Sequence, residues 1–147
     1  MSKAVSKEVT RSLKVHRKNY LKRFIRKLRY GNGPKVFCIG ANKTGTTSLA
    51  HALKSLGYAL GGQHEAEPMA VRDWRARNFN ALIDCCRTAE AFQDISFSCP
   101  YTFQTLDAYF PESKFILTVR DSTDDWYESL TSFHSKICGK GCLPSFR

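Results

Sequence analysis

The chain has 147 residues, 42% hydrophobic and 24% charged, with 9 Gly and 5 Pro, a composition that fits one globular domain. It excludes a collagen, a coiled-coil rod and a wholly disordered chain. The formal net charge of +10 is concentrated in an arm: residues 1–30 hold eleven Lys/Arg against Glu8 alone, whereas residues 31–147 hold twelve of each sign.

Among the basic residues of that arm stand Leu13, Tyr20, Leu21, Phe24, Ile25 and Leu28, at spacings near three and four. This predicts a basic amphipathic helix from about Arg11 to Tyr30. Clustered cations are drawn to phosphate, so an anionic membrane surface is an expected contact, ahead of nucleic acid; the alternative is that the apolar stripe docks on the protein's own domain. Gly31-Asn32-Gly33-Pro34 ends the helix and divides the arm, residues 1–30, from an α/β domain, residues 31–147.

Lys35 to Gly40 is a continuous apolar run entering a glycine, as expected of a strand buried on both faces of a parallel sheet. A helix from Ser48 to Leu56 follows, with Leu49, Leu53 and Leu56 on one face, Thr46 or Thr47 as its cap and Gly57 as its end. Tyr58 to Met69 reads as irregular, and helices are expected over Ala70–Arg77 and Phe79–Thr88. Ala91 to Asp94 reads as a short strand. Pro100 is expected to open a helix with Phe103, Leu106 and Tyr109 or Phe110 inward, stopped by Pro111. Lys114 to Arg120 is the clearest strand after the first, and Thr123 to Ser135 reads as a helix with Asp124 and Asp125 in its first turn, where the dipole favours them. Strands alternating with helices predict a mostly parallel sheet with right-handed crossovers.

No run of about eighteen apolar residues occurs, and no apolar segment of signal-peptide type follows the basic stretch. A cytoplasmic protein is the expectation. The cysteines Cys38, Cys85, Cys86, Cys99, Cys138 and Cys142 lack the spacing of a secreted disulfide framework and read as reduced thiols, with Cys85-Cys86 as packing residues. His134, Cys138 and Cys142 share a spacing of four, but Gly139 and Gly141 interrupt any helix and a fourth ligand is missing, so no metal site is expected.

The stretch richest in chemistry is Gly40-Ala41-Asn42-Lys43-Thr44-Gly45-Thr46-Thr47-Ser48-Leu49, between a predicted strand and a predicted helix. A tight loop there aims backbone N–H groups at one spot beside the positive end of the helix dipole, which makes an anion site. The nucleotide-triphosphate loop G-x-x-x-x-G-K-[ST] places its Lys after the second glycine. Here Lys43 precedes Gly45 by two residues, which argues against an ordinary ATPase or kinase.

Lys43-Thr44-Gly45-Thr46-Thr47-Ser48-Leu49 resembles the 5′-phosphosulfate loop of the sulfotransferase family. Phe115-Ile116-Leu117-Thr118-Val119-Arg120-Asp121, followed by Trp126-Tyr127-Glu128-Ser129, is similar to that family's second signature, a strand ending in Arg and a helix bearing a Ser. The resemblance covers roughly residues 35–135. It implies a three-layer α/β fold of P-loop NTPase-like topology, with 3′-phosphoadenosine 5′-phosphosulfate as the donor and a hydroxyl or amine as the acceptor. Family domains usually run longer, so it also implies a short or C-terminally truncated member.

The same resemblance assigns the 5′-phosphate and sulfonate to Lys43, Thr44, Gly45, Thr46, Thr47 and Ser48, and the 3′-phosphate to Arg120 and Ser129. The step from Arg120 to Ser129 is one residue longer than the family's usual spacing, which leaves Ser132 as an alternative hydroxyl. Lys43 is the candidate to stabilise the bridging oxygen as the bond to the leaving phosphate breaks, by analogy with phosphoryl transfer. Gln93-Asp94-Ile95-Ser96-Phe97 aligns with the segment that carries the family's base, so Asp94 is the first candidate and Glu65, Glu67 or His64 the second. A role in capping the following turn, or in pairing with a basic neighbour, competes for Asp94. His51 is read as structural, while Trp74, Trp126 and Phe103 are either an acceptor lining or core. Two rival functions remain: a small nucleotide kinase or phosphatase with magnesium at Asp94 or Asp121, and a non-catalytic nucleotide-binding module whose arm binds membrane or nucleic acid.

Overall fold

A computed structural model describes residue 15 and residues 18–138. It is an α/β structure: a parallel sheet of three strands, β1 (Val36–Cys38), β2 (Ala91–Phe92) and β3 (Lys114–Ile116), in the order β2-β1-β3. The central strand pairs Phe37 with Phe92 on one side and with Phe115 on the other.

Side chains of a strand alternate between faces, so Phe37 points to one side of the sheet and Val36 and Cys38 to the other. On the Phe37 side lies the larger core. Helices α3 (Gln63–Arg72), α4 (Asn80–Cys86), α5 (Ile95–Ser98) and α6 (Thr102–Tyr109) send Ala66, Leu82, Ile83, Cys86, Phe97 and Leu106 into it, and Phe110 joins them. The Phe37 ring lies 5.5 to 6.0 Å from those of Phe92, Phe97, Phe110 and Phe115, the offset spacing that aromatic clusters favour. On the other side, Leu53 and Leu49 of α2 (Thr46–Ser55) cover Val36, Cys38 and Ala91. α7 (Thr123–Cys138) follows β3.

The arm is helical over residues 18–30, here α1. It ends where Gly31 takes a φ of 40° and returns its N–H to the carbonyl of Lys27. The buried Lys35 donates from Nζ to the Tyr30 carbonyl at 2.8 Å, a cation at the end of the helix where the dipole favours one. α1 docks through its basic side. Arg23 reaches Glu65 and Asp84, Lys27 reaches Asp84, and Arg26 donates to the Leu60 carbonyl at 3.0 Å. The expected alternative, an apolar stripe packed on the domain, is not what is built, because Tyr20, Leu21, Phe24, Ile25 and Leu28 are all exposed.

Several expected elements shift. The predicted strand over Lys114–Arg120 stops pairing at Ile116, because β1 leaves the sheet for the loop after Cys38; Leu117 and Val119 are left exposed. α2 begins at Thr46 instead of Ser48, since Gly45, at φ 99°, already serves as its first flanking residue, and neither Thr46 nor Thr47 caps it. Leu56 lies past the end of that helix and is exposed, as are Phe103 and Tyr109 on α6, where of the four expected residues Leu106 and the following Phe110 are inward. α3 occupies much of the stretch expected to be irregular and runs through Pro68. A proline there gives up the bond to the His64 carbonyl and crowds that carbonyl with its ring, and both residues lie on the exposed side.

Candidate functional site

The loop between β1 and α2 is shaped from its glycines outward. A Cβ on Gly40 would collide with the Oγ1 and backbone of Thr118, so only glycine lets the two strand exits run this close. Lys43 and Gly45 both hold left-handed backbone, at φ 68° and 99°, and this pair of reversals turns the chain into α2. Left-handed geometry costs a non-glycine residue about 1–2 kcal/mol, so contacts must hold Lys43 in place. Arg120 donates from Nε to the Lys43 carbonyl at 2.7 Å, and Trp126 from Nε1 to the Asn42 carbonyl at 2.9 Å. Thr44 bonds inward, to the Ala41 carbonyl and to Thr118 Oγ1 at 2.8 Å.

No side chain among the described residues caps the start of α2, which leaves its first-turn N–H groups free to meet an anion at the positive end of the dipole. That end forms one wall of a cavity of about 560 Å³, with Asn42, Lys43, Gly45, Thr46 and Thr47 contributed by the loop and helix. Gln63 and Glu67 of α3, Asp94, Ile95, Arg120 and Phe133 supply the rest. The Lys43 ammonium rests 4.4 Å from the centre of the Phe133 ring. Arg120 also reaches the Ser129 hydroxyl, at 3.3 Å. The Asn42 Oδ1 is buried with no hydrogen-bond partner among the described residues.

Asp94 combines two roles that sequence reasoning set against each other. Its Oδ1 accepts the Ile95 N–H at 2.8 Å, capping α5, and the same residue lines the cavity. Loss of water raises its pKa above the ordinary carboxylate value, the Glu67 charge raises it further, and bonds from the Ile95 N–H and Gln63 oppose the rise. Its backbone, at φ 86° and ψ −170°, lies in a region that glycine alone enters readily.

The remaining candidates separate cleanly. Lys43, Gly45, Thr46, Thr47, Asp94 and Arg120 border one cavity, and Ser129, not Ser132, meets Arg120. The Thr44 hydroxyl is taken up within the loop, and Ser48 is exposed outside the cavity. Among the second-choice bases, Glu67 lines the cavity and accepts from Gln63 Nε2 at 2.8 Å, whereas Glu65 faces Arg23 of the arm. His64 is almost wholly exposed, with Nδ1 3.6 Å from Glu67, and His51 is exposed on α2. Trp74 bonds to the Pro100 carbonyl and Phe103 meets Phe115 edge-on; neither lines the cavity.

Asn42, Gln63 and Phe133 were missed. For Phe133 a signal existed, since it lies one helical turn beyond Ser129 and so on the same side of α7. Burial pushes the Cys38 and Cys85 thiols up to about 11 and Cys86 well above its ordinary range, so these free cysteines pack as neutral groups. Cys142 and the side chain of Cys138 lie outside the described residues. No helix among the described residues is long and apolar enough to cross a membrane.

The sequence profile of the sulfotransferase domain matches residues 35–142, which takes in β1, the loop, Asp94, Arg120 and all of α7. No curated protein matches the sequence.

Proposed function

We propose, from the premise that this chain belongs to the sulfotransferase family, that its cavity receives 3′-phosphoadenosine 5′-phosphosulfate and passes the sulfonate to a hydroxyl or amine acceptor. The observation that carries this reading is the meeting, in one cavity, of an uncapped helix start, Lys43 and a desolvated carboxylate. The residues present suit such a donor: orphan N–H groups and two fixed cations for its phosphates, and the unpartnered Asn42 amide for a further polar edge. The donor supplies a sulfuryl group already activated by its phosphate.

Each wall has its task. The N–H groups of Gly45, Thr46 and Thr47, with the two threonine hydroxyls, hold the 5′-phosphate and the sulfonate. Arg120, steadied by the Lys43 carbonyl and by Ser129, takes the 3′-phosphate, with Ser129 as a second donor. Lys43, its ammonium over the Phe133 ring, offsets the charge that grows on the bridging oxygen as the sulfur–oxygen bond breaks. Asp94 takes the proton from the acceptor as the new bond to sulfur forms, and its raised pKa makes it a stronger base than an ordinary aspartate. Glu67, in the same cavity, adds to the rise in the Asp94 pKa. A parallel strand, phosphate loop and helix with sheet faces covered on both sides support the three-layer, P-loop-like topology, and buried free thiols fit a reducing cytoplasm.

Calorimetric titration with 3′-phosphoadenosine 5′-phosphate, beside ATP with magnesium and repeated with Lys43→Ala, tests the reading. Metal-independent binding of the bisphosphate that the variant loses is the expected result. Preference for magnesium-ATP moves the site to a nucleotide kinase, and silence from both ligands leaves a module without donor binding.

A further inference from the structure

The arm helix is mounted in an unusual sense. Its cations Arg23, Arg26 and Lys27 turn inward to Glu65, Asp84 and the Leu60 carbonyl, and its apolar residues turn outward. At about 100° per residue, Tyr20, Phe24, Leu28, Leu21 and Ile25 form one stripe about 140° wide. Each is between 50% and 75% exposed. Lys18, Lys22 and Arg29 fall next to Ile25 along one border, and none of them has a carboxylate partner among the described residues. Between α1 and the domain, Tyr20, Lys22, Arg23 and Arg26 line a cavity of about 460 Å³, with Glu65 as the acid among its described lining residues. Residues 18–30 contain no acid at all.

We infer that α1 is an interfacial helix that seats the protein on an anionic lipid surface, its apolar stripe entering the acyl boundary and its basic border of Lys18, Lys22 and Arg29 meeting phosphate headgroups. The geometry is that of helices lying in the plane of a membrane, where burial of the stripe and attraction to anionic lipid act together. A second copy of the chain is the poorer occupant. Stripe against stripe would bring two basic borders together with no acid between them, whereas an anionic surface offsets them. The clamp to Asp84 and Glu65 gives the stripe a fixed attitude on the domain, so the whole protein would be held in one orientation at the surface.

Vesicle co-sedimentation of the full chain tests this, with phosphatidylcholine alone and with roughly a third phosphatidylserine added. Binding to the mixed vesicles is expected to exceed binding to the neutral ones by about tenfold or more, and to fall steeply with salt. F24E/I25E should lose about tenfold or more on mixed vesicles, and K18Q/K22Q/R29Q should bring mixed vesicles down towards the neutral level. Both variants alter exposed side chains, so an unchanged melting temperature shows that the fold is intact; L21Q/L28Q gives a second reading of the stripe if F24E/I25E does not fold. Equal binding by wild type and stripe variants, or no binding by wild type, overturns the inference. So does a dimer in sedimentation equilibrium that F24E/I25E separates, which would give the stripe to a second copy.

Discussion

The Lys43 loop and the arm helix are both basic, but their cations are placed in opposite ways. In α1, Arg23 and Lys27 face the carboxylates of Glu65 and Asp84, so much of their charge is used within the molecule. In the loop, Lys43 faces an aromatic ring, an uncapped helix start and a cavity, and no carboxylate pairs with it among the described residues. A cation matched to an acid fixes structure, while a cation set beside orphan N–H groups concentrates positive potential for an incoming anion. Lysine content alone does not distinguish the two regions; the partners do.

That contrast is open to direct attack, and the largest effect is expected at the loop. Lys43→Ala should lower kcat by about 100- to 1,000-fold, the scale of removing one stabiliser of transition-state charge, with a loss of stability of about 1 kcal/mol at most, since it removes the contact over Phe133 but no ion pair. Asp94→Asn should cost about 100-fold or more in kcat/KM. The wild-type pH profile should show an acid limb above the ordinary aspartate value of about 4, since activity needs the ionised form and falls as pH drops through a raised pKa; the variant should lack that limb. Phe133→Ala should have a smaller effect, about threefold to tenfold in kcat, in line with a cation–π contact at a partly exposed site.

The smallest effect is expected in the arm. Asp84→Asn should lower stability by about 1 kcal/mol at most, because the side chains of its ion pairs are between 32% and 40% exposed, and nucleotide affinity should not change. Bonds from Lys27 and Arg23 hold the Asp84 carboxyl below its ordinary range. A depressed pKa contributes stability that is present above the unfolded value of about 3.9 and is lost as pH falls through the folded one. Limited proteolysis within residues 18–30 should therefore accelerate below about pH 4 in wild type and show less of that acceleration in the variant. A large loss of donor affinity from Asp84→Asn would sink the separation of the two regions.

Much of the site was legible because it lies in contiguous chain. The run from Val36 through Ser48 announces a strand, a turn and a helix, and the Arg at the end of Phe115–Arg120 stands close to the loop because β3 pairs in parallel beside β1. What stayed hidden depends on distant partners. α3 was obscured by Pro68, a residue that costs a helix interior about 3 kcal/mol and so reads as a break. The docking sense of α1 was illegible because both of its sides suit a partner, and only the positions of Glu65 and Asp84 decide between them. Asp94 looked like either a cap or a base, yet the residue whose Oδ1 accepts the Ile95 N–H also lines the cavity.

The backbone of Asp94 bears on how this chain would evolve in the laboratory. At φ 86° and ψ −170° a side chain is a burden that glycine does not share, and relief there amounts to about 1–3 kcal/mol. A library varied at position 94 and sorted for heat resistance alone should therefore drift toward glycine. The same library sorted for turnover should keep the acid, so the two selections would part ways at this one position.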